Sequence, residues 1–341
     1  SYGDMAVLYR TNAQSRVLEE SMIKRGIPYT MVGGTKFYDR KEIKDILAYL
    51  RILINPFDDI CLQRIINVPK RSIGLTTVGK LQDFARETNN SLFMTLSQLD
   101  QISTIKGKTK EKLEEFMGLI FTLVNEATEL SVQGIIEAVL DRTGYVVELE
   151  NSTDPQDQAR LENIGELVSV AKEFMDTNPE GTLQDFLEQV ALVNDVDSFE
   201  QEESKVTLMT LHAAKGLEFP VVFLAGLEEG LFPHSRTLMN PEEVEEERRI
   251  AYVGITRAEE ELYVSNATTR TVFGKTTGYL PSRFLKEIPS ELMEEVRPKR
   301  TVKEELQRNV PFHQSVANRP VTKPMIRNPQ VVDWTVGDTA I

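Results

Sequence analysis

Strand-like runs flank a long helical stretch, and this interleaving constrains the fold more than any other feature of the sequence. Residues 5–9 form a short apolar run suited to a buried strand. Thr11 and Asn12 offer N-cap side chains for a helix that Gly26 ends, and a second strand-like run covers 27–32. Strand, helix and strand with short links form a βαβ unit, so these residues predict a parallel sheet.

The pattern changes to helical periodicity from residue 36 to about residue 200. Apolar residues there predict an all-helical block of about eight helices, with one weak strand signal at 145–147. Strand patterns then return on either side of one further helix. These predicted elements are strands at 206–210, 221–225 and 262–265 and a helix at 242–253. We therefore predict an α/β fold, in which a parallel-sheet domain is interrupted by a large all-helical insertion.

The predicted domain boundaries follow from these changes of pattern. Residues 1–35 and 201–286 form the two segments of the sheet domain, and 36–200 form the helical insertion. Residues 287–341 are rich in proline and charge, which predicts a linker-like, mostly disordered tail. The chain lacks an initiator Met and stops within a strand-like run, so we expect it to be a fragment of a longer protein.

Composition excludes several classes of protein. The 341 residues are 40% hydrophobic and 27% charged, which is enough for two cores and unlike collagen or a disordered chain. The longest apolar run is too short to cross a bilayer. The single cysteine, Cys61, excludes a disulfide framework and a cysteine-built metal site, and suits a reducing cytoplasm. With a net charge of -14, the chain must bind any nucleic acid through a local basic patch.

A run over residues 206–223 has the residue types of a ligand-binding loop. His212, Lys215 and Gly216 follow a predicted strand, at the end that carries ligands in parallel α/β sheets. Gly216 would let the backbone approach a phosphate, and Lys215 would donate to it. Glu218 could accept a hydrogen bond from a sugar hydroxyl. An ordinary solvated loop explains each residue singly, but the run as a whole favours a ligand site.

A second run, over residues 245–258, ends in an arginine at the junction of a helix and a strand. Arg257 follows Thr256 there, and its guanidinium can reach out of the domain toward a charged partner. The alternative is a charge that complements the helix macrodipole. Glu245 and Arg249 are predicted to form a surface pair of little consequence.

Three runs together resemble the motifs of a known family. Tyr-Arg-Thr-Asn-Ala-Gln-Ser-Arg at 9–16 resembles the motif that opens the second motor domain of superfamily 1 DNA helicases. Leu-His-Ala-Ala-Lys-Gly-Leu-Glu-Phe at 211–219 and Val-Gly-Ile-Thr-Arg-Ala at 253–258 resemble motifs V and VI. Residues 1–286 resemble the C-terminal half of the UvrD/PcrA/Rep group. This implies a RecA-like motor domain and an ATP-dependent 3′→5′ helicase that moves on single-stranded DNA and unwinds duplex DNA in replication or repair.

The resemblance also implies roles for single residues. Arg257 corresponds to the arginine finger that meets the γ-phosphate, and such a residue can supply ~10³–10⁵ in rate. Glu218 corresponds to the carboxylate near the nucleotide sugar, and Gly216 is assigned to the same nucleotide site. His212 corresponds to the residue that links DNA contact to the ATP site. Two further residues match positions that contact single-stranded bases, His234 and Phe273.

A basic strip supports a DNA contact near the end of the sheet domain. Residues 266–286 hold four basic residues and no acidic residue, with Phe273 and Tyr279 between the basic residues. A flat ring such as that of Phe273 can stack on any base, whereas core packing is the alternative for this residue. A basic loop without a function is the alternative for the strip as a whole.

The helical block has a basic segment of its own. Lys70 and Arg71 precede an apolar-Gly-apolar turn at Gly74, where the start of a helix would expose backbone amides to a phosphate. These residues resemble the family's Gly-Ile-Gly segment that grips duplex DNA, with Ser72 in place of the first glycine. A plain helix–turn–helix corner is the alternative.

The resemblance implies ATP with Mg²⁺ as the cofactor, yet the sequence contains no phosphate loop. Residues 33–36 read Gly-Gly-Thr-Lys but lack the G-x-x-x-x-G-K-[ST] spacing. We expect the phosphate loop and the Mg²⁺ ligands in a missing N-terminal half and no metal site in this chain, which should not hydrolyse ATP alone. The implied partners are that half, single-stranded and duplex DNA and, through the tail, transcription or repair proteins, without a membrane.

Two rival functions are weighed against a helicase. A non-catalytic DNA-binding scaffold would have no use for a γ-phosphate contact, so Arg257, Glu218 and His212 together argue against it. The helicase part of a RecB-like nuclease is the other rival, but nothing in the sequence resembles the clustered carboxylates of a nuclease.

Overall fold

A computed structural model describes residues 1–196 and 204–296, and a five-stranded parallel sheet organises it. The sheet order is β2-β3-β1-β4-β5, so the strands that precede the helical stretch interleave with those that follow it. This confirms the parallel sheet that the sequence predicts. The strands are β1 (Met5–Tyr9), β2 (Tyr29–Val32), β3 (Val206–Thr210), β4 (Phe219–Ala225) and β5 (Ala258–Ser265).

Two helices connect strands that are consecutive in the chain. Helix α1 (Ser15–Lys24) joins β1 to β2 and begins later than predicted, because Asn12–Gln14 form a 3₁₀ turn first. Gly26 ends it with a φ of 63°, a left-handed conformation that glycine adopts without steric cost. Helix α11 (Pro241–Ile255) joins β4 to β5.

The described residues between β2 and β3 form nine α-helices and no strand, against the eight helices expected. The strand signal at 145–147 is wrong, because these residues form the first turn of α8, where the buried Tyr145 hydroxyl donates to Asp45 over 2.9 Å. The helices are α2 (Lys41–Ile54), α3 (Asp59–Ile65), α4 (Leu75–Thr88), α5 (Leu92–Leu96), α6 (Lys108–Ala127), α7 (Val132–Thr143), α8 (Tyr145–Glu150), α9 (Pro155–Thr177) and α10 (Leu183–Val196).

The helices and the sheet bury separate hydrophobic cores. Every buried member of the helical core comes from the stretch between Phe37 and Val190. The sheet buries one core on each face, since successive side chains of a strand point in opposite directions. Leu8 and Met209 belong to one face, while Val7, next to Leu8, belongs to the other.

A buried polar seam joins helix α9 to the segment around α1. The Arg16 guanidinium is 3% exposed and lies 2.5 Å from Glu166 and 3.1 Å from Glu173. Arg40 donates to Asn163 over 2.7 Å and to Ser15 over 2.6 Å. Because Arg16, Arg40 and Asn163 are buried, their hydrogen bonds offset the loss of water.

A β-hairpin that the sequence did not predict occupies part of the basic strip. Its antiparallel strands are β6 (Thr269–Val272) and β7 (Lys275–Gly278). Phe273 and Gly274 turn between them with φ of 50° and 68°, as in a type I′ turn. The Gly274 amide donates to Ser169 of α9 over 3.2 Å, so the hairpin tip is attached to the helices.

Residues Ser1–Pro289 form one compact unit, and Ser290–Leu292 form a 3₁₀ turn outside it. Most of the predicted tail, from residue 297 onward, lies outside the described residues. None of the helices in the described part of the chain is both long and apolar enough to cross a membrane.

Candidate functional site

The residues predicted to bind nucleotide lie at the amino-terminal edge of the sheet, called the amino edge below. Glu218 immediately precedes β4 and Arg257 immediately precedes β5, and the Phe219 amide donates to the Arg257 carbonyl over 2.9 Å. The sequence predicts ligands at the carboxyl end of the strand that precedes the motif V loop, but the structure places Glu218 at the opposite edge. The loop leaves the carboxyl end of β3 and must return to the start of the parallel strand β4, so it crosses the sheet.

The Arg257 side chain is folded onto its own domain. Its Nε donates to the Val253 carbonyl over 3.0 Å, and its Nη1 donates to the Leu217 carbonyl over 2.9 Å. Nη2 lies 3.1 Å from the Thr256 hydroxyl, and the side chain is 15% exposed. The bond to Val253 satisfies a carbonyl in the last turn of α11, which matches the helix-terminus alternative for this residue. A phosphate could replace these acceptors with stronger, charge-assisted bonds.

The rest of the predicted nucleotide site is open. The Glu218 side chain is 59% exposed, and its carboxylate lies 3.9 Å from the Arg257 guanidinium. Lys215 and Gly216 are exposed as well. Gly216 has a φ of 88°, and a Cβ built there would meet no atom within 4 Å. Glycine is therefore favoured at this position by the backbone conformation and not by crowding from neighbouring atoms.

The residues predicted to contact DNA from the sheet domain lie at the carboxyl edge. His212 follows the end of β3, and Arg10 follows the end of β1. Burial of part of the imidazole lowers the pKa of His212 from its ordinary value of 6.5, and the charge of Arg10 lowers it further. The neutral form of His212 is therefore favoured near pH 7.

A buried carboxylate that sequence reasoning missed holds this edge together. Glu247 of α11 is 2% exposed. Both of its oxygens accept from Arg10 Nε, over 3.0 and 3.1 Å, and one accepts from Arg10 Nη2 over 2.5 Å. The His234 amide donates to the same carboxylate over 3.2 Å. One acidic side chain thus joins the exit of β1, the loop after β4 and helix α11.

The predicted pair of Glu245 with Arg249 is wrong. Glu245 pairs with Arg248, while Arg249 lies 2.7 Å from Glu246. Helical spacing could have identified the remaining acidic residue, Glu247, because it lies on the buried face of α11. The other buried residues of that face are Val244, Ala251 and Gly254.

A cleft of about 720 Å³ lies between the carboxyl edge and helix α9. It brings His234 and Phe273 together, although they are distant in sequence. The His234 side chain is 16% exposed, and its Nε2 lies 3.1 Å from Glu162 of α9. Phe273 is half exposed, and its ring covers Gly165, where a Cβ would come within 2.5 Å of it. Each ring is thus fixed by α9 and faces the same cleft.

Two of the basic residues in the predicted strip are paired with carboxylates. Arg270 pairs with the fully buried Glu228, and Arg283 pairs with Glu229 over 2.7 Å. The contact with Arg283 lowers the pKa of the Glu229 carboxyl. The strip therefore carries less free positive charge than its sequence suggests, although Lys275 remains exposed.

The two basic residues of the helical stretch that are predicted to contact duplex DNA lie in different environments. Lys70 is exposed. The Arg71 guanidinium instead donates to the carbonyls of Ile65 and Val68, both over 3.0 Å, and to the Tyr49 hydroxyl over 2.7 Å. These bonds attach Arg71 to the end of α3, and its contact with duplex DNA stays a prediction.

The turn before α4 tolerates the departure from the glycine pattern. Ser72 has a φ of 60°, which is the left-handed conformation that a glycine would adopt more readily. Gly74 is the N-cap residue of α4, and a Cβ there would meet open space. The start of α4 is thus accessible, as a phosphate contact at its amides requires.

Comparison with known proteins identifies the family. Residues 1–269 match the model of the UvrD-like helicase C-terminal domain. The chain belongs to this family. Two curated relatives, both named ATP-dependent DNA helicase PcrA, support the assignment. The relative from Bacillus subtilis is 48% identical over 99% of the chain, and one from Staphylococcus epidermidis is 52% identical over 86%.

The UvrD-like chain spans less than half the length of these relatives. It covers 46% of the Bacillus subtilis protein and 40% of the Staphylococcus epidermidis protein. The family membership confirms the resemblance on which the sequence prediction rests. The roles of single residues, including Arg257, Glu218 and His234, stay predictions.

Proposed function

We propose that the chain is the second motor half of an ATP-dependent 3′→5′ DNA helicase. Residues 1–35 and 201–286 would form a RecA-like motor domain, into which residues 36–200 are inserted as a helical domain. The separate cores of sheet and helices support this division. The family and the named activity of the PcrA relatives support the helicase function. Such an enzyme would unwind duplex DNA in replication or repair, in the cytoplasm.

The amino edge is the proposed ATP site. Arg257 and Glu218 offer opposite charges beside each other at the start of neighbouring strands. Arg257 would turn from its carbonyl acceptors to the γ-phosphate and stabilise charge that develops on its oxygens. Glu218 would accept from a sugar hydroxyl, and the open backbone at Gly216 fits the same site. Hydrolysis of ATP supplies the free energy for movement along DNA.

The cleft at the carboxyl edge is the proposed track for single-stranded DNA. Phe273 and His234 present two rings held by α9, and stacking on such rings contributes ~1–3 kcal/mol per base without sequence preference. A motor that moves along DNA requires contacts of this kind. On the helices, Lys70 and the amides at Gly74 would contact duplex DNA.

The observation that carries the proposal is the sorting of the motif residues to opposite edges of one sheet. Arg257 and Glu218 lie at the amino edge, and His212 and His234 lie at the carboxyl edge. A nucleotide and a DNA strand can therefore bind the same domain at the same time. A scaffold that only bound DNA would need only the carboxyl edge.

The test uses the full-length protein, because the chain is less than half of its relatives. ATP hydrolysis is measured with and without oligothymidylate, and unwinding is measured on duplexes with a 3′ or a 5′ single-stranded tail. We expect DNA to stimulate hydrolysis and only the 3′-tailed duplex to be unwound. Hydrolysis without unwinding of either duplex would contradict the helicase function, and unwinding from the 5′ tail would contradict the direction.

A further inference from the structure

Helix α11 connects the two edges of the sheet. The parallel strands β4 and β5 require a crossover from the carboxyl edge to the amino edge, and α11 is that crossover. Its 15 residues span about 22 Å at 1.5 Å per residue. Arg257 follows its last turn, while Glu247 lies within its length. The two proposed sites therefore share one rigid element.

Glu247 is the only acidic side chain of α11 that is buried. Its neighbours Glu245 and Glu246 carry side chains that are 56% and 62% exposed and pair with surface arginines. Glu247 instead accepts from Nε and Nη2 of Arg10 and from the His234 amide. Because a buried ion pair is stable only with these partners in place, a shift of Arg10 or His234 must move α11 or break the pair.

Both partners of Glu247 lie beside the proposed DNA contacts. The His234 ring lines the cleft. Arg10 follows β1, next to β3 in the sheet, and its charge acts on His212 at the end of β3. DNA bound to His212 or His234 would therefore change the position of the groups that Glu247 holds.

We propose that Glu247 is a positioning residue that couples DNA binding at the carboxyl edge to Arg257 at the amino edge. The coupling element is the Glu247–Arg10 pair together with α11. DNA that shifts Arg10 and His234 would move α11, and with it the residue that acts on ATP. This inference rests on the proposed function and adds a residue to it.

The test measures how strongly oligothymidylate stimulates ATP hydrolysis by the full-length Glu247→Gln variant. The amide has nearly the size of the carboxylate but lacks its charge and one acceptor, so it cannot hold the guanidinium in the same way. At saturating DNA, we expect the stimulation factor to fall about tenfold, within the usual range of coupling between two sites. Glu246→Gln, on the same helix but exposed, is the matched control and should keep the wild-type factor.

A double-mutant cycle tests whether the coupling runs through the Glu247–Arg10 pair. Arg10→Gln should also lower the stimulation factor, and the double variant should lose no more than the more affected single variant. Losses that multiply in the double variant would overturn the proposal. If Glu247→Gln does not fold, Arg10→Lys provides the same test, because it keeps the charge but loses the paired donors.

A purely structural role for Glu247 predicts a different result. Hydrolysis with and without DNA would then fall by the same factor, so the stimulation factor would not change and the inference would be overturned. Failure of the proposed function is recognised separately, since the wild-type protein itself would then show no stimulation by DNA.

Discussion

The two edges of the sheet are built in opposite ways. At the amino edge, Glu218 and Gly216 are exposed, and Arg257 is held by carbonyl groups of its own domain. At the carboxyl edge, Glu247 and Glu228 are buried and each holds an arginine. Side chains at the amino edge can therefore change partner at little cost in free energy. The buried ion pairs at the carboxyl edge fix its rings and loops in one arrangement.

This difference suits the two ligands proposed for the edges. A nucleotide is bound, hydrolysed and released in each cycle, so its contacts must form and break repeatedly. A DNA track must present rings such as Phe273 in a fixed position, and the hairpin attached to α9 does so. Four predictions test whether the edges divide the work in this way.

The largest effect is expected at the amino edge. Arg257→Ala in the full-length protein should lower DNA-stimulated ATP turnover by ~10³ or more, because an arginine at the γ-phosphate stabilises the charge of the transition state. Affinity for oligothymidylate should hardly change. Arg249→Ala is the control, since its side chain on the preceding helix α11 is 74% exposed. A loss of less than about tenfold, ~1.4 kcal/mol, would contradict the role of Arg257.

The second prediction is that substitutions at the carboxyl edge lower the free energy of unfolding more than those at the amino edge. Glu228→Ala at the carboxyl edge should lower the free energy of unfolding by ~3–5 kcal/mol, because it leaves Arg270 without its buried partner. Glu218→Ala at the amino edge should change it by no more than ~0.5 kcal/mol, since that side chain is mostly exposed. Denaturant titration of both variants measures the difference. Equal midpoints would show that the carboxyl edge is not held by its buried charge.

The third prediction concerns the ring of His234. His234→Ala should weaken binding of oligothymidylate by ~1–3 kcal/mol, and His234→Phe should restore much of the loss, because phenylalanine keeps a stacking face. The control is Glu162→Gln, which keeps a polar partner 3.1 Å from the imidazole without its charge. Wild-type affinity in His234→Ala would exclude stacking. A loss in His234→Phe as large as in His234→Ala would indicate that the contact with Glu162 is what matters.

The smallest effect on DNA binding is expected for a substitution in the helical stretch, which lies away from both edges of the sheet. Lys70→Gln should lower affinity for duplex DNA and reduce the slope of log affinity against log salt by about 0.9, the value for one phosphate contact. Binding of single strands should stay the same. Arg71→Gln should instead lower stability, because three of its acceptors lose their donor. A salt slope that falls in Arg71→Gln and not in Lys70→Gln would reverse these roles.

Much of the fold could be predicted from local patterns. Apolar runs and helical spacing are properties of neighbouring residues, so the sequence predicts β1, β3, β4 and α11 closely. The strand signal at Tyr145 failed because its apolar run is as short as a buried helical turn. The β6–β7 hairpin was missed because its exposed strands lack an apolar alternation.

For the candidate site, the sequence by itself determined which residue types are present and to which family the motifs belong. It could not show that Glu247 holds Arg10, because the two residues lie 237 positions apart in the chain and meet only in the folded protein. Nor could it place His234 in the same cleft as Phe273, since each ring is positioned by α9 of the helical stretch. Contacts between residues far apart in the chain decided both features of the site. The burial of a side chain and the charges around it depend on its neighbours in space rather than on its neighbours in sequence.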